Sequence, residues 1–293
     1  MIVFNHNLIF GDEPKLQGNI LKNDLESIFI IEEQNFPLSD TFSLSGAWIP
    51  ISSGKVRYLS TTLFENVETK ISWALEIKDV MVLIWDVKER KILYIKGSNY
   101  TSVQLRYWVF HTFFPIVLEL ERTYRILHVG SVEIGGKPVL FSAFSFGGKS
   151  TLTDYFIRQG HTLLSDDSLG IEERDDGYCA IPSYPFHRPY REIETLGYYA
   201  ENFSTEPKPV HAVYLLDKSE PDAKIDIVEL KGIEKFKAFH YSAFINFNFM
   251  KQERFAFFTK MAQKVPVYKI TYPHDMEKLP DVYASIVQHT ETL

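Results

Sequence analysis

At 293 residues, 45% hydrophobic and 24% charged, the chain is long enough to bury one large core or two modest ones, with ordinary globular composition. A net charge of −7 argues against a broad nucleic-acid footprint, so no nucleic-acid partner is expected. The single cysteine, Cys179, excludes an internal disulfide, fits a reducing cytoplasm and reads as a small core residue.

The first residues, Met1-Ile2-Val3-Phe4-Asn5-His6, lack the basic start and apolar run of a signal peptide. Val80 to Trp85 and Val109 to Leu118 are too short or too interrupted to span a bilayer. A cytoplasmic protein without a membrane partner is expected. Short strand-like runs follow one another up to about residue 100: Ser27 to Ile31, Lys55 to Leu59, Val80 to Asp86 and Lys91 to Ile95. Asn, Asp, Gly and Pro punctuate them, which predicts an antiparallel sheet. Ser102 to Leu120 has no glycine and many aromatics, which predicts a buried helix despite Pro115. No linker-like composition follows, so a β-rich domain over 1–121, ending in that helix, is expected to pack on a second domain over 122–293.

The second domain opens on Ile126 to Ile134 and Lys137 to Ser142, two strand-like runs separated by Gly135-Gly136, the mark of a tight hairpin. Next comes Ala143-Phe144-Ser145-Phe146-Gly147-Gly148-Lys149-Ser150-Thr151, a phosphate-binding loop complete except for its first glycine. Its backbone N–H groups would wrap phosphates, Lys149 would reach between them, and the Ser150 hydroxyl suits Mg²⁺. Alanine at 143 is tolerable only with a negative φ. Leu152, Tyr155 and Phe156 recur at helical spacing, so the loop should open onto a helix whose N-terminus favours anions. Gly160 is placed to end that helix in a left-handed turn. A second strand, His161 to Ser165, runs into Asp166-Asp167. Two carboxylates at the phosphate edge can divide a phosphoryl transfer between them, one toward Mg²⁺ and one taking a hydroxyl proton. Standing alone, such a pair is as often a solvated turn. The hairpin ahead of the loop, and the short interval from Ser150 to Asp166, set the pattern apart from a doubly wound parallel sheet.

Leu127-His128, Gly147-Gly148-Lys149-Ser150, Arg158-Gln159-Gly160-His161 and Asp166-Asp167 together resemble, without a gap, the core of the HPr kinase/phosphorylase family. The resemblance implies an α/β (α+β) kinase core similar to the phosphoenolpyruvate carboxykinase type, with ATP and Mg²⁺ as cofactors. It also implies assembly into a homo-oligomer. Carried over by position, it makes Ser145, Phe146, Gly147, Gly148, Lys149, Ser150 and Thr151 the nucleotide loop, Ser150 a Mg²⁺ ligand, and the aspartate pair a metal contact and the base. The resemblance does not divide the two roles within the aspartate pair; Asp167 is taken here as the base and Asp166 as the Mg²⁺ ligand, with His128 beside them to tune the carboxylate. His161, which also matches, reads as a packing residue.

The departures are informative. Ala143 replaces a glycine, and Thr151 stands where the bifunctional enzymes carry an acidic residue. After the aspartates, Pro182-Ser183-Tyr184-Pro185-Phe186-His187-Arg188-Pro189-Tyr190-Arg191 occupies the place of their second signature, so phosphorolysis is not expected. This segment and the loop are similar instead to HPr-kinase-like proteins of peptide natural-product pathways, among them lasso-peptide kinases that phosphorylate a C-terminal serine. Arg188 and Arg191 read equally as contacts to a transferring phosphate or substrate carboxylate, and as a solvated turn.

Further on, His211 to Leu216, Lys224 to Leu230 and Val265 to Ile270 read as strands, Ile233 to Lys264 as helix, and Asp281 to His289 as a closing helix. Phe236, Phe239, Tyr241, Phe244, Phe247 and Phe249 crowd the long helix, and a hydrophobic core is the preferred reading over a peptide groove. The expected function is transfer of a phosphoryl group from ATP to a hydroxyl, with a peptide serine ranked ahead of a small molecule. A nucleotide-binding sensor without transfer is the alternative from another class, and the aspartate pair argues against it because a sensor needs no proton acceptor.

Overall fold

A computed structural model describes residues 1–11, 17–18, 20–63, 71–143, 147–189 and 194–293. The chain forms two compact units. One comprises Met1–Thr123, Arg191–Leu196 and Phe247–Phe249, the other Tyr124–Tyr190, Gly197–Asn246 and Met250–Leu293.

The first unit holds a nine-stranded sheet in the order Ile2–Val3, His6–Phe10, Ser27–Glu32, Lys91–Lys96, Met81–Asp86, Trp73–Ile77, Gly54–Ser60, Leu44–Ser45, with Ile49–Ile51 also on Gly54–Ser60. It is antiparallel from Gly54–Ser60 through Lys91–Lys96, and short turns join Trp73–Ile77 to Met81–Asp86 and Met81–Asp86 to Lys91–Lys96. The antiparallel expectation fails at Ser27–Glu32, which lies parallel to both His6–Phe10 and Lys91–Lys96. Neither neighbour is joined to it by a tight turn, so the chain is free to return before pairing, and the sheet is mixed.

Ser102–Trp108, Val109–Phe113 and Phe114–Leu120 run on as one helix whose middle stretch is π-helical. Thr101 caps it by accepting from the Gln104 N–H. Pro115 lacks an N–H, and its ring would crowd the carbonyl four residues back in a regular α-turn. The widened turn before it, with the Phe114 N–H on the Val109 carbonyl, takes up that misfit. The helix packs on its sheet through Phe110 on Phe10, Phe114 on Phe4 and Phe113 on Trp73, ring centroids 4.7 to 6.3 Å apart.

The second unit is built on a six-stranded sheet in the order Thr162–Ser165, Gly130–Ile134, Lys137–Ala143, Ala212–Ser219, Val267–Pro273, Asp226–Glu229. Gly135 and Gly136, at φ 59° and 77°, turn the hairpin, and Ile134 opposite Lys137 is its last pair. Alternate side chains go to opposite faces. Phe141, Tyr214, Leu216 and Ile270 meet Leu152 and Phe156 of the helix Lys149–Arg158 and Val282 and Ile286 of Leu279–Glu291. Leu140, Val213 and Val267 share the other core with Phe239, Phe258 and Met261, together with Leu127, Leu169 and Ile171 of a four-stranded sheet. Burial on both faces is why these strands are near-continuous apolar runs.

The single helix expected over Ile233 to Lys264 is instead two, Ile233–Tyr241 and Lys251–Lys264. Between them the backbone pairs with the strand Arg125–Leu127: the His128 N–H donates to the Ser242 carbonyl at 2.6 Å and the Phe244 N–H to that of Ile126 at 3.0 Å. Phe244 to Phe249 are weak helix formers, and tertiary pairing outweighs their propensity. The aromatic group is accordingly divided. Phe239 is buried in the core, Tyr241 is exposed, and Phe247 and Phe249 belong to the first unit, where Phe247 meets Tyr58. Phe236 and the exposed Phe255 line a groove of about 730 Å³ with Ile233 and Leu230.

The loop helix lies directly on the hairpin. A Cβ at Gly130 would sit 2.1 Å from Oγ1 of the fully buried Thr153. Gly130→Ala should therefore lower unfolding free energy by about 1–3 kcal/mol. Adding Thr153→Ala should recover most of that loss, as read from a urea double-mutant cycle.

Candidate active site

Strand direction decides what meets at one edge of this sheet. Lys137–Ala143, Ala212–Ser219 and Val267–Pro273 are parallel to one another. Gly130–Ile134 is antiparallel to both Lys137–Ala143 and Thr162–Ser165, so those two also run the same way. Four strands end on the same edge, and two, Gly130–Ile134 and Asp226–Glu229, begin there. The edge therefore gathers the loop after Ala143, Asp166-Asp167 after Ser165, Lys218, Tyr272, and His128 just ahead of Gly130. The carboxyl ends of parallel strands are where α/β sheets bind ligands. One strand separates the loop from the aspartates, a span of roughly 10 Å at the usual strand spacing.

Ala143 lies in its strand, outside the left-handed region, so the missing glycine carries no strain. Phe144, Ser145 and Phe146 fall outside the described residues. Gly148, at φ 89°, caps the helix Lys149–Arg158, and its carbonyl accepts from the Leu152 N–H at 2.9 Å. Lys149 is the first helical residue and is buried, while Ser150 and Thr151 in the first turn are half-buried. That turn carries no acidic side chain, so its N–H groups and dipole favour an incoming anion. At the other end Gly160, at φ 90°, donates to the Ile157 carbonyl, and the His161 N–H donates to that of Phe156. The His161 ring bonds the Glu133 carbonyl and the Tyr283 hydroxyl, a packing role.

The two aspartates have different surroundings. The Ser165 hydroxyl holds the turn between them and Ser168, donating to the Ser168 carbonyl at 2.7 Å and accepting from its N–H. Asp166 is 4% exposed: Oδ2 accepts from the Arg188 N–H at 2.8 Å and Oδ1 lies 2.9 Å from Nδ1 of His187. His187 is fully buried, with Nε2 3.6 Å from Asp154 on the loop helix, and Asp154 accepts from the Tyr198 hydroxyl at 2.7 Å. The Asp167 side chain is 29% exposed. Nδ1 of His128 donates to its carbonyl at 2.9 Å and lies 3.2 Å from Oδ1. The Arg188 guanidinium stands 3.9 Å from its Oδ2.

Tyr184 is buried beside the pair. Burial first, then the charges of Asp167 and Asp166, push its hydroxyl far above the ordinary range, so it stays neutral. The segment that carries it is fastened by the Ser183 N–H on the Leu164 carbonyl and by pairing of Phe186–His187 with Tyr198–Tyr199. Gly197, at φ 79°, makes that close approach possible, since a Cβ there would lie 2.1 Å from the His187 carbonyl oxygen. Arg191 falls outside the described residues.

Sequence reasoning passed over Lys218, Tyr272, His274 and Asp154, and weighed Arg188 where His187 is the buried partner. Lys218 and Tyr272 stand at strand ends, and only the parallel pairing brings them to the loop. Among the described residues no three His, Cys, Asp or Glu side chains converge on a metal-sized site. The Ser150 hydroxyl and the aspartate carboxylates are hard oxygen donors of the kind that Mg²⁺ takes. No helix among the described residues is long and apolar enough to cross a membrane. The aromatic groove lies at the opposite edge of the sheet, since Glu229 on its rim pairs with Tyr268 near the start of Val267–Pro273.

No family model matches the chain, and no curated protein matches it. Among solved structures it is similar to the Hpr(Ser) kinase/phosphatase from Coxiella burnetii, at 14% identity and a TM-score of 0.36, over 57% of this chain and 97% of that one. A likeness that loose fixes neither fold nor activity, and the functional reading rests on the residues at the sheet edge.

Proposed function

We propose that the chain is an ATP- and Mg²⁺-dependent kinase that phosphorylates a hydroxyl, with a peptide serine as the preferred acceptor. The observation that supports this most is the meeting, at one sheet edge, of a helix N-terminus led by Gly147-Gly148-Lys149 with a half-open carboxylate, Asp167, backed by His128. A site that only sensed nucleotide would need the first and not the second.

In this reading Lys149 and the loop amides hold the phosphates, and Ser150 would offer its hydroxyl to Mg²⁺. Asp166, whose oxygens meet His187 and the Arg188 N–H, would hold Mg²⁺ together with Ser150. When bound, the ion supplies charge neutralisation on the phosphate oxygens. Asp167 takes the proton of the acceptor hydroxyl as its oxygen bonds to the γ-phosphorus, and ADP leaves with the bridging oxygen. Arg188, whose guanidinium is 3.9 Å from Asp167, steadies the transferring phosphate or an acceptor carboxylate in this reading. A C-terminal serine of a precursor peptide, as in lasso-peptide pathways, is the acceptor suggested by the resemblance of the loop and the Pro182–Pro185 segment. A small-molecule hydroxyl is the alternative.

ADP release measured against a panel of acceptors tests this. Serine-ended peptides should raise ADP release and their alanine-ended counterparts should not. Stimulation only by small hydroxyl compounds would move the acceptor class. ATP binding with no stimulated turnover by any acceptor would favour the sensor.

A further inference from the structure

We propose that Lys218 is a second phosphate-binding cation of the nucleotide site, positioned on the phosphate loop by His274. This inference rests on the nucleotide reading above and deepens it.

Lys218 is next to last in Ala212–Ser219 and pairs in register with Tyr272 on the parallel strand Val267–Pro273. Paired residues of neighbouring strands put their side chains on the same face, so the two reach the loop together. The Tyr272 hydroxyl donates to the Gly147 carbonyl at 3.0 Å. Burial, with the Asp217 charge adding to it, pushes that hydroxyl up to about 12, so the bond persists at any physiological pH. The space over Gly148 belongs to the same pair: a Cβ there would meet the Tyr272 hydroxyl at 2.9 Å, Cε of Lys218 at 3.3 Å and its Nζ at 3.8 Å. The ammonium thus lies against Gly148, the last glycine before Lys149.

His274 sets that position. Its Nε2 is 3.0 Å from Nζ of Lys218, and its own N–H donates to the Ser219 carbonyl at 3.1 Å. An ammonium has only donors, so Nε2 accepts and the imidazole is neutral with its proton on Nδ1. A neutral acceptor orients a lysine without cancelling its charge. Asp217, the preceding residue, points to the opposite face and pairs with Lys269 at 3.6 Å. A cation fixed in this way at an anion-binding loop complements the polyphosphate of a nucleoside triphosphate, and a charge-assisted bond to phosphate is among the stronger polar contacts.

Calorimetric ATP titration of wild type, Lys218→Met, Lys218→Arg, His274→Ala and Lys149→Ala, each checked by thermal melting, tests the proposal. Lys218→Met should weaken ATP roughly tenfold to hundredfold with an unchanged melting temperature. Lys218→Arg should restore most of the affinity, and His274→Ala should give a smaller loss. ATP bound equally by wild type and Lys218→Met, with binding lost in Lys149→Ala, would overturn the role of Lys218 and leave the nucleotide reading standing. Equal losses in Lys218→Met and Lys218→Arg with lowered melting temperatures would also overturn it, in favour of a purely structural lysine. Failure of the wild type to bind ATP would remove the nucleotide reading, and this proposal with it.

Discussion

Asp167→Asn should lower turnover by about 10²- to 10⁴-fold while ATP affinity stays within about twofold. The substitution keeps size and one acceptor oxygen but removes the proton acceptor, so a base should show a fall in kcat and little else. Asp166→Asn is the informative comparison. Asp166 is almost closed to solvent and ties the Arg188 backbone and His187 to the end of the Thr162–Ser165 strand. Its loss should loosen the segment that also carries Tyr184, lowering stability together with activity. If Asp166→Asn kept stability and lost only turnover while Asp167→Asn stayed active, the roles of the two aspartates would be exchanged.

Lys149→Ala should weaken ATP by about 10²-fold or more and take turnover down with it, since it removes a preorganised charge from the phosphates. The fold should survive. Alanine is the best helix former, and the loop helix is held by Leu152 and Phe156 in the core and by its glycine-closed C-terminus, none of which involves the lysine. Calorimetry with circular dichroism on the same sample separates the two effects. An unfolded Lys149→Ala would give the lysine a structural role, and a folded variant with undiminished ATP affinity would remove it from the site.

How much of this is legible in the residues depends on the distance over which each feature is determined. The Gly135-Gly136 hairpin, the loop helix and its glycine end are set by a few neighbouring residues, and local chemistry is enough to read them. Ser27–Glu32 is different, because one of its parallel neighbours, Lys91–Lys96, lies far along the chain and nothing in its apolar alternation states a direction. The break after Tyr241 arises from backbone pairing with Arg125–Leu127, a partner more than a hundred residues away. In the candidate site, Lys149 and the aspartates stand out by motif. The division between Asp166 and Asp167 does not, since it depends on the Arg188 N–H and His187 arriving from a later segment. Lys218 is a common residue at a strand end until the register sets it beside Tyr272 and over Gly148.

The central claim is that this sheet edge moves a phosphoryl group to a hydroxyl. Mass spectrometry of serine-ended peptides incubated with the protein, ATP and Mg²⁺ tests it most directly. A gain of one phosphate, localised to the serine and absent with Lys149→Ala and Asp167→Asn, is the predicted result. A peptide left unmodified by a folded protein that binds ATP, with no other hydroxyl acceptor phosphorylated, would contradict it.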